Sequence, residues 1–348
     1  MELLACPDCG GDLTLNTEKA SDDGEIAAGL LTCQACSHTY PIQRGVPRLL
    51  PKSISSVEDK TASAFGWEWQ EFTEMHPEYE SQFLDWIYPL QPAFFRGKAV
   101  LDAGCGIGRH AYHAARYGAK EVVAMDLSAA VETAYANTGH LPNVHVVQGS
   151  IYNPPFKRAA EGGPFDFIYS IGVLHHLPDP AAGFHSLVTF LKPGGHIFAW
   201  VYGHENNAVV HNFINPVRKT LTSHLDPAIV SALAWPLTVA LEATVGVYHL
   251  LRNTRLVRHL PSHVYLCSLS QFSFRQNHSI VFDHLVAPVA FYLKREEFEA
   301  WFQRDYLGNV GISWRNQNSW RGLGQVPVLP VAKSTPQLDV EGDWATAL

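Results

Sequence analysis

The stretch Val100-Leu-Asp-Ala-Gly-Cys-Gly-Ile-Gly-Arg-His110 decides the fold of this chain. A short apolar run, typical of a buried strand, leads directly into a turn with three glycines and then into a helical segment. Glycine has no Cβ atom, so the backbone of such a turn can approach a ligand closely. The stretch therefore predicts a strand, a cofactor loop and a helix that together bind a nucleoside cofactor.

The spacing of the glycines and a nearby carboxylate indicate which cofactor. The glycines read G-x-G-x-G rather than the dinucleotide pattern G-x-G-x-x-G, and Asp102 stands at the strand end. A carboxylate there repels a pyrophosphate but suits the cationic sulfonium and amino groups of S-adenosylmethionine. Asp126 follows Gly108 by 18 positions, the distance at which a carboxylate takes ribose hydroxyls in such folds. S-adenosylmethionine is therefore the expected cofactor.

Short apolar strands alternate with helical segments after this loop. The alternation predicts an α/β fold with a Rossmann-like, doubly wound, mostly parallel sheet that ends in an antiparallel hairpin at 309–328. We expect Lys192-Pro-Gly-Gly195 to end the helix before the fifth strand. The predicted parallel strands are 99–102, 121–126, 144–148, 165–169 and 196–202.

Residues 100–202 resemble the class I S-adenosylmethionine-dependent methyltransferases of the small-molecule type. The resemblance rests on the loop motif above, Phe165-Asp-Phe-Ile168, His175-His-Leu177 and Leu191-Lys-Pro-Gly-Gly195. It implies that Asp102 and the glycines hold the methionine part and that Asp126 holds the ribose. Gly149-Ser150-Ile151 replaces the usual adenine-reading Asp, and Ser170 and Gly172 match positions near the transferable methyl. The implied cofactor residues are Asp102, Ala103, Gly104, Gly106, Gly108, Asp126, Leu127, Ser150, Ile151, Ser170 and Gly172.

His175 and His176 are the candidate catalytic bases, because an acceptor with a proton to lose benefits from a nearby imidazole. A structural role for this pair is the alternative, since paired histidines occur at this turn in relatives with unrelated substrates. Trp67 and Trp69 either cover the cofactor or acceptor, or pack in the core. Arg109 directly follows the glycine loop, and the sequence leaves open whether its side chain points into the cleft or to solvent.

Two Cys-x-x-Cys pairs near the N-terminus indicate a metal site. Cys6, Cys9, Cys33 and Cys36 offer four thiolates, which complete a tetrahedral shell and leave no open position for catalysis. The pattern therefore predicts a zinc ribbon with structural zinc. The segment resembles the small zinc-ribbon subunit that activates several RNA and protein methyltransferases. A similar head precedes some ribosomal RNA methyltransferases.

Composition changes divide the chain into three parts. Residues 1–51 form the predicted zinc ribbon, and residues 61–328 form the catalytic domain with aromatic-rich covering helices at 61–96. A long helical insertion at 204–293 interrupts that domain, and we expect it to shape the acceptor site. Its apolar content, including Trp235, Leu237 and Leu241, suits a closing lid or a hydrophobic wall of that site. An interface or membrane-resting surface is the alternative. Residues 329–348 read as a mobile tail.

The overall charge is −8, which argues against broad contact with nucleic-acid phosphates. The N-terminus has no basic region followed by an apolar run, so the cytoplasm is the expected compartment. The apolar segment 228–251 is long enough to cross a bilayer, but it contains Pro236, Glu242 and His249, so no stable membrane span is expected. The sequence leaves open whether the protein forms a homodimer.

These observations lead to three functional hypotheses. The first is methyl transfer from S-adenosylmethionine to a small molecule or to a glycan- or lipid-linked acceptor. The second is an RNA methyltransferase that uses its zinc ribbon to recognise the substrate. The third is a non-catalytic partner that binds the cofactor. The accepting atom is left open at this point, and so is the use of a general base.

Overall fold

The computed structural model describes residues 2–20, 24–158, 162–208, 210–251, 254, 263–304 and 307–328. The tail predicted to be mobile, 329–348, lies outside the described residues. The strands are β1 (Leu13–Ala20), β2 (Ile26–Cys33), β3 (Thr39–Gln43), β4 (Val46–Pro47), β5 (Ala99–Ala103), β6 (Glu121–Asp126), β7 (Val144–Gln148), β8 (Phe165–Ile171), β9 (Leu191–Tyr202), β10 (Gly308–Arg315) and β11 (Ser319–Gln325). The helices are α1 (Ser56–Glu71), α2 (Glu78–Trp86), α3 (Arg109–Arg116), α4 (Ala130–Thr138), α5 (Pro180–Val188), α6 (Asn215–Thr220), α7 (Pro227–Leu251), α8 (His263–Leu269), α9 (Phe274–Val286) and α10 (Arg295–Arg304).

The main sheet has seven strands in the order β10-β11-β9-β8-β5-β6-β7. Strands β5 to β9 pair in parallel, and β11 and β10 add an antiparallel hairpin. Strand order reverses between β5 and β8, and ligands bind at the carboxyl ends of the strands at such a switch point. The α/β fold predicted from the sequence is confirmed.

The fifth parallel strand starts earlier than predicted. Helix α5 ends at Val188 and β9 begins at Leu191, so the Lys192-Pro-Gly-Gly195 segment lies inside the strand rather than capping the helix. Gly194 has φ +78°, and the pairing register shifts between Phe165 and Phe167. The pairing of β8 with β9 is therefore irregular near Gly194, but the strand continues through it. The prediction that this segment ends the helix is wrong.

The N-terminal segment folds as an antiparallel sheet, β1-β2-β3-β4, which packs against one edge of the main sheet. The Leu49 amide donates to the Gln148 carbonyl at the end of β7 over 2.9 Å. Arg48 pairs with the Glu132 carboxylate on α4. On the other side, the Ala5 amide donates to the Pro155 carbonyl over 2.9 Å. The small sheet therefore covers the open edge of β7.

Two long segments cover the carboxyl ends of the parallel strands. Helix α1 starts with a capping box between Ser55 and Glu58, and α9 starts with one between Ser273 and Gln276. Helix α7 packs on α9, and its side chains line neither cavity beneath. Trp235 and Leu237 are exposed, so the expectation that they wall the acceptor site is wrong. Helices α8 and α9 form that wall instead.

Asp102, the fourth residue of β5, is fully enclosed beneath the glycine loop. Burial raises its pKa from the usual 3.8 to about 8, although the Tyr169 hydroxyl beside it acts in the opposite direction. The folded protein therefore holds a proton on Asp102 that the unfolded chain releases above about pH 4.

We expect this proton to make the cofactor-free protein less stable as the pH rises from about 4 to about 8. Asp102→Asn should flatten that dependence and raise the free energy of unfolding near pH 8 by up to roughly 5 kcal/mol. Urea unfolding across this pH range measures the effect, with the exposed carboxylate Asp59→Asn as control. Parallel pH profiles for wild type and Asp102→Asn would contradict the explanation.

Candidate functional site

Two cavities meet above the carboxyl ends of the parallel strands. The loop cavity is lined by the ends of β5, β6 and β7 and by α1. The insertion cavity is lined by α1, α8, α9, the end of β9 and the β10–β11 hairpin. Trp69 and Gly172 line both cavities. A group bound in one cavity is thus adjacent to a group bound in the other.

The loop cavity is held open by the glycine turn and one carboxylate. Gly104 and Gly106 have φ +89° and +52°, values that only glycine adopts easily. The Gly106 amide donates to Asp126 Oδ2 over 3.0 Å, and the Ser128 amide and hydroxyl donate to Oδ1. These bonds fix the Asp126 carboxylate at the cavity wall, where it is suited to accept bonds from a ligand's hydroxyls.

The structure divides the residues predicted to contact the cofactor into two groups. Those that line the loop cavity are Gly104, Asp126, Leu127, Ser150, Ile151 and Gly172. Those that lie beneath or beside the loop without lining either cavity are Asp102, Ala103, Gly106, Gly108 and Ser170. The second group supports the loop: the Ser170 hydroxyl donates to the Ala103 carbonyl over 2.9 Å. A Cβ on Gly108 would lie 3.0 Å from Thr138, so this glycine lets α4 pack closely.

Helix α1 supplies cavity residues that the motifs did not identify. Thr61, Phe65 and Trp69 follow each other at four-residue spacing, so one face of the helix covers the loop cavity. Trp67 points away and packs against Phe282 at 5.2 Å between ring centroids. Aromatic spacing indicated a covering helix, but it did not show that Trp69 faces the ligand site while Trp67 packs in the core.

The insertion cavity contains buried polar atoms without partners. Within the described residues, seven side-chain atoms that line it are buried and make no hydrogen bond: Glu68 Oε2, Gln82 Oε1, Trp86 Nε1, Gln276 Nε2, Asp283 Oδ1, His284 Nδ1 and Tyr292 Oη. Buried polar groups without partners are costly, and a cluster of them calls for an occupant. The mixture of donors and acceptors fits a ligand with its own hydroxyl, carbonyl or amine groups.

Two carboxyl groups face each other across this cavity, Glu68 on α1 and Asp283 on α9. The Ser279 hydroxyl donates to Glu68 Oε1 and the Tyr202 hydroxyl donates to Asp283 Oδ2, each over 2.6 Å. Burial, reinforced by Asp283, raises the pKa of Glu68 well above its usual value. Burial therefore favours the protonated form of Glu68, which can donate a hydrogen bond.

The two candidate histidines have different surroundings. His176 lines the loop cavity, and its Nδ1 lies 2.8 Å from the Val289 carbonyl, so Nδ1 carries the proton and Nε2 a lone pair. Nε2 lies 3.7 Å from Asp283 Oδ1. His175 is completely buried, lines neither cavity and stacks on Tyr202 at 4.0 Å. His176 is thus placed for chemistry, and His175 supports the tyrosine.

Three aromatic rings surround the positively charged side chain of Arg109 in the wall of the insertion cavity. The Arg109 guanidinium, at the start of α3, lies 4.9 Å from the Tyr79 ring and 5.3 Å from the rings of Trp69 and Trp86. It lines the insertion cavity, so it points into the cleft rather than to solvent. The arginine brings a fixed positive charge to the junction of the cavities, where it can balance a ligand carboxylate.

The four predicted metal ligands converge at one end of the small sheet. The sulfur atoms of Cys6, Cys9, Cys33 and Cys36 all lie within 4.8 Å of one another. The Cys6–Cys36 and Cys9–Cys33 distances are 3.8 and 3.5 Å. Four thiolates on a tetrahedral zinc ion lie about 3.8 Å apart, so the cluster fits zinc. A Cβ on Gly11 would lie 3.0 Å from the Cys33 sulfur, which leaves room there for glycine alone.

Comparisons with known proteins identify both parts of the chain. Residues 75–218 match the family model described as a methyltransferase domain, and residues 1–45 match that of Trm112p-like proteins. The ubiquinone biosynthesis O-methyltransferase of Ralstonia nicotianae is 34% identical over 134 residues, which cover 37% of this chain and 52% of that protein. The corresponding enzyme of Acinetobacter baylyi is 31% identical, with 42% and 60% covered. The chain spans about half the length of these curated relatives.

Two solved structures resemble the chain at low identity. A complex between the Trm112 methyltransferase activator and a methyltransferase of Haloferax volcanii has a TM-score of 0.43 at 14% identity, covering 78% of this chain and 98% of that one. A complex of DhpI with SAH has a TM-score of 0.47 at 14% identity, with 79% and 99% covered. The family matches themselves assign a methyltransferase domain to residues 75–218, behind a Trm112p-like domain at residues 1–45.

Proposed function

We propose that this protein transfers the methyl group of S-adenosylmethionine to a small-molecule or lipid-linked acceptor. The observation that carries the proposal is the junction at Trp69 and Gly172, two residues that line both the loop cavity and the insertion cavity. One cavity is lined by the cofactor loop and the other by unpaired polar atoms. Methyl transfer needs two adjacent sites of this kind, because the enzyme mainly aligns cofactor and acceptor and excludes water.

The residues of the loop cavity support this cofactor. When bound, S-adenosylmethionine supplies an activated methyl group on its sulfonium. The fixed Asp126 carboxylate is suited to ribose hydroxyls, and Ser150 and Ile151 line the wall beside it. Arg109 lines the neighbouring insertion cavity beside Trp69, from where it offers a charge partner for the amino-acid carboxylate. The Trp69 ring lies between the two cavities and helps to exclude water.

The pair formed by His176 and Asp283 is suited to take up a proton from the acceptor. Nε2 of His176 and Oδ1 of Asp283 lie 3.7 Å apart, and neither atom has a hydrogen-bond partner. A proton released by an acceptor hydroxyl or amine as its bond to the methyl carbon forms would satisfy both atoms. Tyr202 holds Asp283 in place through its hydroxyl, and protonated Glu68 donates to the acceptor.

Labelled S-adenosylmethionine tests the function. The protein should bind the cofactor and its demethylated product, but not NADH, and should label the metabolite or lipid fraction of a cell extract. Gly106→Val should abolish cofactor binding, because a Cβ there already lies 3.3 Å from the Trp69 indole. Gly97→Val is the control, since Gly97 also has positive φ but nothing within 4 Å. Calorimetry measures both. Label in RNA alone would favour the RNA hypothesis, and no label in any fraction would contradict methyl transfer.

The proton-accepting role predicts a selective loss in Asp283→Asn. Its turnover of the labelled acceptor should fall by about 10²-fold or more, while calorimetric affinity for S-adenosylmethionine stays unchanged. Tyr202→Phe should shift the pH profile of turnover, because Asp283 loses its hydroxyl donor. The control is Asp226→Asn, an exposed carboxylate on the same insertion. Unchanged turnover in Asp283→Asn would rule this role out.

We also propose that Cys6, Cys9, Cys33 and Cys36 bind one structural zinc ion. The domain is too small for a large core, so a metal stabilises it substantially. Gly11→Ala should lower zinc content or speed its loss to a chelator, because its Cβ would lie 2.8 Å from Ala35 and 3.0 Å from the Cys33 sulfur. Gly10→Ala is the control, with positive φ but open space around it. Elemental analysis measures zinc, and wild-type protein purified without it would refute the site.

A further inference from the structure

Helix α7 presents a broad apolar face to the outside. Its exposed large hydrophobic residues, here called the α7 face, are Ile229, Leu233, Trp235, Leu237, Val239, Val247 and Leu250. Leu250 is 81% exposed and Trp235 is 55% exposed. Eighteen large hydrophobic side chains are exposed in the described residues, so this one helix carries more than a third of them. An apolar patch of this size marks an interaction surface.

The opposite side of the helix packs against the rest of the protein. Val230, Ala234, Thr238 and Val245 are buried, and α7 packs on α9 and α8. The Glu242 carboxylate accepts a hydrogen bond from Asn277 on α9 over 2.7 Å. Helix α7 is apolar and long enough to cross a membrane, but crossing would break this packing and strand Glu242 in lipid. The helix is thus built to lie on a surface.

The charge pattern of the sequence around this helix identifies the surface. Between residues 243 and 282 the chain has no Asp or Glu and four arginines, although the whole chain has a charge of −8. Three of them, Arg252, Arg255 and Arg258, follow α7 directly in the sequence. Arginines next to an apolar, Trp-bearing helix favour anionic lipid headgroups.

We propose that the α7 face docks on the surface of an anionic lipid bilayer, with the helix lying in the plane of the interface. Phe274 extends the apolar surface, since its ring lies 6.1 Å from that of Trp235. Helices α8 and α9, which pack under α7, line the insertion cavity. Docking therefore brings this cavity to within one helix layer of the bilayer. The docking does not depend on methyl transfer and is tested without it.

Flotation of the full-length protein with lipid vesicles tests the proposal. The protein should bind vesicles of equal parts phosphatidylglycerol and phosphatidylcholine at low salt, and bind vesicles of phosphatidylcholine alone much more weakly. Leu233→Asp combined with Leu237→Asp should lower the partition coefficient by about 100-fold, since each buried leucine contributes about tenfold. The control is Val310→Asp combined with Val328→Asp, two exposed apolar residues outside the helix. Thermal melting confirms that both variants are folded.

A second measurement locates the contact. Brominated phosphatidylglycerol should quench tryptophan emission in the wild type, and Trp235→Phe should remove most of that quenching. Wild-type protein that stays unbound at low salt would overturn the proposal. Equal vesicle binding by the Leu233→Asp/Leu237→Asp variant would overturn it as well, because lipid would then bind elsewhere. A wild-type dimer in analytical ultracentrifugation that this variant abolishes, without vesicle binding, would assign the face to a second copy.

Discussion

The hydrogen bond from the Gly106 amide to the Asp126 carboxylate is the constraint on which the site depends. It ties the turn after β5 to the end of β6 over 3.0 Å. The bond forms only because Gly104 and Gly106 adopt positive φ, which turns the loop back over the strand ends. Asp102 lies enclosed beneath that turn, so the loop closes over a buried carboxyl. The space left above the loop is the loop cavity, and α1 roofs it.

The acceptor side obeys a different constraint, the cost of buried polar atoms. Glu68 on α1 is far in sequence from Gln276 and Asp283 on α9, yet the unpaired atoms of all three line a common cavity. A core built for stability alone would pair or replace them, because each unpaired polar atom destabilises the fold. Their retention in one place is what a binding site requires. The structure thus combines a loop cavity fixed by hydrogen bonds with an insertion cavity lined by unpaired polar atoms, and Trp69 lies between them.

The sequence predicted the parts of this architecture that depend on local patterns. The apolar runs predicted the bounds of strands β5 to β8 closely, and the glycine spacing predicted the position of the loop. Asp102 shows one limit, because a carboxylate at a strand end looks like a ligand contact until its burial is known. The Glu68–Asp283 pair shows another, since nothing local links two helices 215 positions apart in the chain. Helix α7 shows a third: a helix apolar all round does not reveal which side is buried.

The position of the small sheet explains why such a domain is useful next to a cofactor site. Its Leu49 amide and Arg48 side chain both bond to Gln148, at the end of β7. The Gln148 amide in turn donates to the Leu127 carbonyl over 2.9 Å, and Leu127 lines the loop cavity. The chain of contacts from the small sheet to the cavity wall is therefore two hydrogen bonds long. Because the domain is fused to the chain, the contact forms at a high effective concentration and needs little intrinsic affinity. Zinc held by the cysteine cluster, as proposed above, would stiffen the small sheet, and the sheet contacts the wall against which the cofactor is expected to bind.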